Sequence, residues 1–222
     1  MGHNTVLKSQ QKVEHDPMRL AGPGTTGSIW GRPVSVDVTR TNPHNHEVSV
    51  RDTIRKLREH ARTYESHPSV DLATHQACGS LSPAASDREV CCAIYYWIRS
   101  RVRFLEDELL MQYGLGIPPD QLDKELLIPP PVLLSMNPPT GDCDDFSLLT
   151  ACMCLNAGVR PFYVTVAADP EEPPSKLSHI YVVAYLEDEN SFLQLDSGNR
   201  YHRVPPGWEA QKGLTRKAVW KV

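Results

Sequence analysis

The sequence predicts an α+β fold in which one buried helix packs on an antiparallel sheet. Three observations predict it. Apolar residues recur at helical spacing in two stretches between residues 48 and 102. The run Phe146, Leu148, Leu149, Ala151, Cys152, Met153, Cys154, Leu155 is apolar almost all round. Beyond Gly158 the pattern changes to alternation at period two. A helix without a polar face belongs inside a core, and strands that follow a block of helices make an α+β layer arrangement.

At 222 residues and 40% hydrophobic content the chain suits one domain with an appendage. Residues 1–45 are rich in Gly, Pro, Thr, Asn and His and are expected as an extended N-terminal arm; residues 46–222 are expected as the domain. Within the arm, Trp30 and 34–38 suit a short strand or an extended segment that orders on the domain or on a partner. A net charge of −4 gives no footprint for nucleic acid. No apolar run reaches membrane-spanning length. Residues 1–5 lack the basic-then-apolar pattern of a secretory signal. The six cysteines do not form CxxC pairs, so zinc is not expected. Cys91, Cys92, Cys152 and Cys154 fall in apolar helical patterns and read as small buried hydrophobes. Reduced thiols suit a cytoplasmic site of synthesis.

In chain order, a helix is expected from Val48, with Ser49 as a possible N-cap and Val50, Ile54, Leu57 and Ala61 inward. His67-Pro68 closes that segment. A short helix is expected over 70–78, ending at Gly79. Asp87 is expected to cap a strong helix through Val90, Ile94, Trp97, Ile98 and Val102. Arg99, Arg101 and Arg103 read as a solvated or salt-bridged face. Residues 106–140 are irregular, with a helical turn expected over 122–127, and a long loop rich in Leu, Ile and Val commonly lines a site. Strands are expected over 161–166, 179–186 and 192–196, with a turn at 187–190.

Cys143 stands where a proline-rich loop becomes the first turn of the apolar helix. The unpaired N–H groups and dipole at a helix start favour a thiolate, the nucleophilic form. The neighbouring Asp142 and Asp144 oppose that effect. Cysteine catalysis also needs a base and a group that orients the base. His179 opens one strand and Asp196 ends the next. With the turn at 187–190, Tyr181 falls opposite Asp196 in one simple register, which puts His179 diagonal to it on the same face; a slightly different turn puts the two directly opposite. Either brings imidazole and carboxylate within reach. Asp142, Asp144 and Asp145 lack the oxygen count and glycine turn of a calcium loop.

The segments Gly141–Leu149, Ala157-Gly158-Val159, His179-Ile180-Tyr181-Val182 and Leu195-Asp196 resemble the transglutaminase-like cysteine peptidase superfamily, which has a papain-like core. More narrowly, Arg101–Asp107 and Glu125–Pro129 ahead of the Gly141–Asp145 box resemble the short transglutaminase-like proteins of tailed bacteriophages and prophages. The resemblance covers roughly residues 85–200. It implies Cys143 as nucleophile, His179 as base and acid, Asp196 as orienting carboxylate, and Asp145 as a structural cap. It implies a thioester intermediate on an amide or isopeptide of a peptide or protein, with cell-wall peptide or a phage structural protein as substrate classes, no cofactor and no metal. It also implies synthesis in a bacterial cytoplasm and a place in the virion. Tyr181 stands where the family commonly has Trp, and Ser197-Gly198 where Pro-Thr often follows the aspartate. The Cys143 N–H suits one oxyanion donor; Gln112 and Asn137 are among the options for a second. The other reading is a non-catalytic phage structural or assembly protein that keeps the fold as a binding module and engages partners through residues 1–45.

Overall fold

A computed structural model of the protein describes residues 25–29, 32–40, 46–114, 124–168, 173, 176–198, 205–208 and 217–222. Its first half is helical. Helix α1 (His46–Tyr64) turns Ile54, Leu57 and Ala61 inward. It begins ahead of the expected Val48, so Ser49 lies inside the helix and is not its cap. Helix α2 (Pro68–Cys78) starts with Pro68 rather than being preceded by it. Proline suits the first helical position, where its missing N–H costs nothing, and His67 Nδ1 accepts from the Ser69 N–H at 3.2 Å.

Helix α3 (Asp87–Arg101) is capped by Ser86, not Asp87. Ser86 Oγ accepts from Glu89 N and Glu89 returns a bond to Ser86 N, a reciprocal box. Asp87 is thereby released for another task. Its carboxylate accepts from Glu187 N at 2.7 Å, its own N–H donates to Asp188, and Arg88 forks onto Glu189 at 2.6 and 2.7 Å. The turn at 187–190 is thus docked on the start of α3.

After α3 come β3 (Arg103–Phe104), a single helical turn α4 (Asp107–Leu109) that passes into a π-helical turn at Leu110–Gly114, and β4 (Lys124–Leu127). Residues 124–127 are a strand, not the expected helical turn. Asp107 supplies the reason, since its carboxylate accepts from Leu126 N at 2.6 Å and holds the backbone extended while Leu126, Leu127 and Ile128 are buried. Strand β4 pairs with β2 (Arg32–Arg40), which pairs with β1 (Thr25–Ile29), both antiparallel. Short α5 (Pro130–Ser135) leads to β5 (Thr140–Gly141), parallel to β3.

Helix α6 (Cys143–Asn156) is the centre of the molecule. Every residue from Asp144 to Cys154 is buried, and α1, α2, α3, α5, β6 (Arg160–Val166) and β7 (His179–Leu186) all pack on it. It ends in a Schellman motif: Val159 N donates to Cys154 O, Gly158 N to Leu155 O, and Gly158 takes φ +82°. The sheet has the order β8–β7–β6–β9, all antiparallel, from β6 (Arg160–Val166), β7 (His179–Leu186), β8 (Ser191–Leu195) and β9 (Lys217–Lys221). Ile180, Val182 and Ala184 join the main core with α6, while Tyr181 and Val183 join Val164 and Val166 in a smaller cluster. This is the α+β arrangement expected, a buried helix on an antiparallel sheet. Among the described residues no helix is long and apolar enough to cross a membrane. All six cysteines are described and none is in a disulfide.

A Cβ on Gly158 would meet nothing within 4 Å, so the cost of a side chain there is purely conformational. Gly158→Ala is expected to lower stability by about 1 kcal/mol in urea denaturation, with an unchanged folded spectrum. An unchanged midpoint would contradict the left-handed cap.

Candidate active site

The site is built from the start of α6. Asp142 is the N-cap; its Oδ1 accepts from Asp144 N at 3.1 Å. Asp145 closes the box. Its Oδ2 accepts from Asp142 N at 3.3 Å and its Oδ1 from Ile128 N at 2.7 Å, which ties the 128–129 segment to the helix start. The glycine before the cap is obligatory. A Cβ at Gly141 would lie 2.4 Å from Asp145 Oδ2 and 2.7 Å from Asp145 Cβ. Cys143 follows as the first helical residue, half-buried, where N–H groups and the helix dipole favour negative charge.

Asp144 is 1% exposed, and neither carboxyl oxygen meets an N–H or O–H donor among the described residues. Burial, and then the Asp142 carboxylate beside it, push its pKa well up, so the neutral acid is favoured. A neutral Asp144 adds no negative charge next to the sulfur, which removes part of the opposition expected from the flanking aspartates.

The second half of the site comes from the sheet. Val182 pairs with Leu195, so the register continues to Tyr181 opposite Asp196, with His179 diagonal on the same face. His179 Nε2 and Asp196 Oδ1 are 2.9 Å apart, with the Asp196 carboxylate 2% exposed. The Tyr181 ring, itself buried, stacks against the imidazole at 6.1 Å and 27°.

Residues not expected to serve the site tie the halves together. Ser147 Oγ bonds the carbonyl of Cys143 at 2.7 Å and that of Ile180 at 3.1 Å, so one hydroxyl spans the first turn of α6 and the residue after His179. Gly198 lies against the helix start: a Cβ there would sit 3.1 Å from Cys143 Cα and 3.0 Å from Phe146 Cβ. Thr150 Oγ1 and Ser197 Oγ are 2.9 Å apart, and Arg99 Nη1 donates to Ser197 O at 2.9 Å. Arg99 is therefore not part of a solvated face; it fixes the turn that carries Asp196. Two signals were present in the sequence: a lone serine four residues after Cys143 in an apolar helix, and a glycine two residues after Asp196.

Of the options for a second oxyanion donor, Gln112 lies half-buried in the π-helical turn and Asn137 lines a cavity with Trp97 and Arg101. Three carboxylates converge: one oxygen each from Asp107, Asp142 and Asp145 lie within 4.8 Å of one another. These are the residues that could contribute to a cation site, yet all three already accept backbone N–H groups. Asp107, from a distant turn, takes the place that sequence proximity suggested for Asp144.

No protein-family model matches the chain, and no curated protein matches it by sequence. Among solved structures, the chain is similar to a "putative protease" of Parabacteroides distasonis, with TM-score 0.42 and 13% identity over 78% of this chain and 32% of that one. It is also similar to a "putative cysteine protease" of Cytophaga hutchinsonii, with TM-score 0.40 and 16% identity over 86% of this chain and 60% of that one. The chain thus spans about a third of the first protein and three fifths of the second.

Gly198→Ala is expected to force the 196–198 turn off the helix start and cost about 1–3 kcal/mol in urea denaturation; unchanged stability would contradict the close approach. Asp144 gives a pH test. Its folded pKa lies above the unfolded value, so its contribution is fully present below about pH 4 and is lost as pH rises toward the folded pKa. The stability of Asp144→Asn relative to the parent should therefore improve steadily with rising pH. A difference independent of pH would mean that Asp144 is ionised in both states.

Proposed function

We propose that the chain is a cysteine hydrolase of the transglutaminase-like type, acting on an amide or isopeptide bond of a peptide or protein through Cys143, His179 and Asp196. The single observation that carries the reading is the buried 2.9 Å bond between His179 Nε2 and Asp196 Oδ1, at the end of the sheet that Ser147 and Gly198 join to the Cys143 turn. A solvent-shielded carboxylate on one imidazole nitrogen fixes the tautomer and stabilises the imidazolium. That is the role of an orienting acid, and it gives the base role to Nδ1.

In this reading His179 takes the Cys143 proton and the thiolate attacks the substrate carbonyl. The C–S bond forms as the carbonyl π electrons move to oxygen, and the Cys143 N–H at the helix start donates to the oxyanion. Collapse breaks the C–N bond while the imidazolium protonates the leaving amine. Water, deprotonated by His179, then attacks the thioester carbonyl; the C–S bond breaks, the acid leaves, and the departing Cys143 sulfur is paired with the proton held on His179. An amine in place of water would give a crosslink with the same groups. None of these steps calls for a cofactor. Residues 46–222 form the catalytic domain in this reading and residues 1–45 its arm, of which β2 is paired within the chain to β4. The resemblance of the 101–107, 125–129 and 141–149 segments to phage-encoded proteins supports a virion-associated enzyme made in a bacterial cytoplasm. It also supports cell-wall peptide or a phage structural protein as substrate.

The test is acyl-enzyme capture. With a p-nitrophenyl ester of a short peptide, the wild-type chain should release about one equivalent of nitrophenol in a burst and carry the acyl group on the Cys143 peptide. His179→Ala should slow that burst by about 10²–10⁴-fold, and Cys143→Ala should abolish it. Acylation spread over other cysteines, or a burst indifferent to His179, would overturn the reading.

A further inference from the structure

An open cavity of about 440 Å³ lies between α2, the end of α3 and the 137–139 loop, a size in the range of sites for small ligands. Its walls are mostly apolar. Trp97 and Val102 are buried beneath it, Leu134 is half-buried, and Leu72 stands on the rim 57% exposed. One charged group lines it, Arg101. The guanidinium carbon lies 4.7 Å over the Trp97 ring and Nη1 donates to Ser100 Oγ at 3.2 Å, and among the described residues no carboxylate pairs with it.

A forked cation held above an apolar floor is matched by one carboxylate attached to an apolar body. A phosphate site would call for further cations or a set of converging N–H groups. The amides of Gln76 and Asn137 on the same walls suit the N–H and C=O of a peptide bond. We propose that this cavity binds the C-terminal residue of a peptide, its apolar side chain against Trp97, Val102 and Leu134 and its free carboxylate on Arg101.

The cavity is linked to the candidate active site through the chain that runs from Pro139 to Cys143. Pro139 O accepts from Arg103 N at 2.9 Å, and the β3–β5 ladder carries the chain from there to Asp142. Pro139 and Cys143 are four residues apart, so their Cα atoms lie within about 14 Å. The proposal does not depend on the chemistry at Cys143; the carboxylate site would bind whether or not the cysteine is reactive.

The experiment is a titration of the ¹⁵N-labelled full chain with N-acetyl-leucine and with N-acetyl-leucinamide, to about 20 mM. It is read at the Trp97 indole N–H, assigned by triple-resonance methods. The acid is expected to shift that resonance and to bind about tenfold or more tighter than the amide. Arg101→Gln, at an exposed position, should erase that preference while leaving the remaining spectrum in place, and Arg101→Lys should retain part of it. Equal binding of acid and amide, a preference that survives Arg101→Gln, or no shift at all would overturn the proposal.

Discussion

Asp145 accepts backbone N–H groups from Asp142 and Ile128 while sealed inside the core, and the start of α6, with Cys143 as its first residue, depends on that one carboxylate. A buried carboxylate is costly unless its lone pairs are met. Here they are met only if residue 141 has no side chain, if the chain at 128 passes close by in extended form, and if the helix begins at residue 143. Glycine before the cap, the β4 segment with its Leu126-Leu127-Ile128 run, and Cys143 as first helical residue are thus consequences of one interaction. Asp107 repeats the device one layer out by accepting from Leu126 N.

The helix that starts there is buried from Asp144 to Cys154, so its polar side chains need internal partners. Ser147 and Thr150 each bond the carbonyl four residues back, and each has a second contact: Ser147 to β7 and Thr150 to Ser197. Those second contacts lock the sheet to the helix at the level of His179 and Asp196. Arg99 adds a bond from α3 to the same turn. Far from the site, the docking of Glu187, Asp188 and Glu189 on the start of α3 fixes the other end of the β7–β8 hairpin. The His179–Asp196 pair is held at both ends of the hairpin that bears it, the support that fixes two side chains in one geometry.

Much of this was legible in the sequence because the signals were local. The period-two runs and the turn at 187–190 leave two registers, Tyr181 or His179 opposite Asp196, and the hairpin takes the first. Gly158 announced the end of α6. The cap of α3 was misplaced by one residue although Ser86 and Glu89 have the spacing of a capping box; Asp87 is also a cap former, and its actual partners are 100 residues away or more. Strand β4 read as a helical turn because nothing local reveals that β2 and Asp107 supply its backbone partners. Ser147, Gly198 and Arg99 were missed as site residues for the same reason: their roles exist only once helix and sheet have been brought together.

The central claim is that Cys143 and His179 act as one acid–base pair. The most direct measurement is the rate of Cys143 alkylation by iodoacetamide across about pH 4–9, resolved by peptide mapping and repeated in His179→Ala. The account predicts reactivity that stays level well below the ordinary thiol range of about 8.5 and that collapses to a simple thiol profile without the imidazole. A simple thiol profile in the wild-type chain, unchanged in His179→Ala, would contradict it.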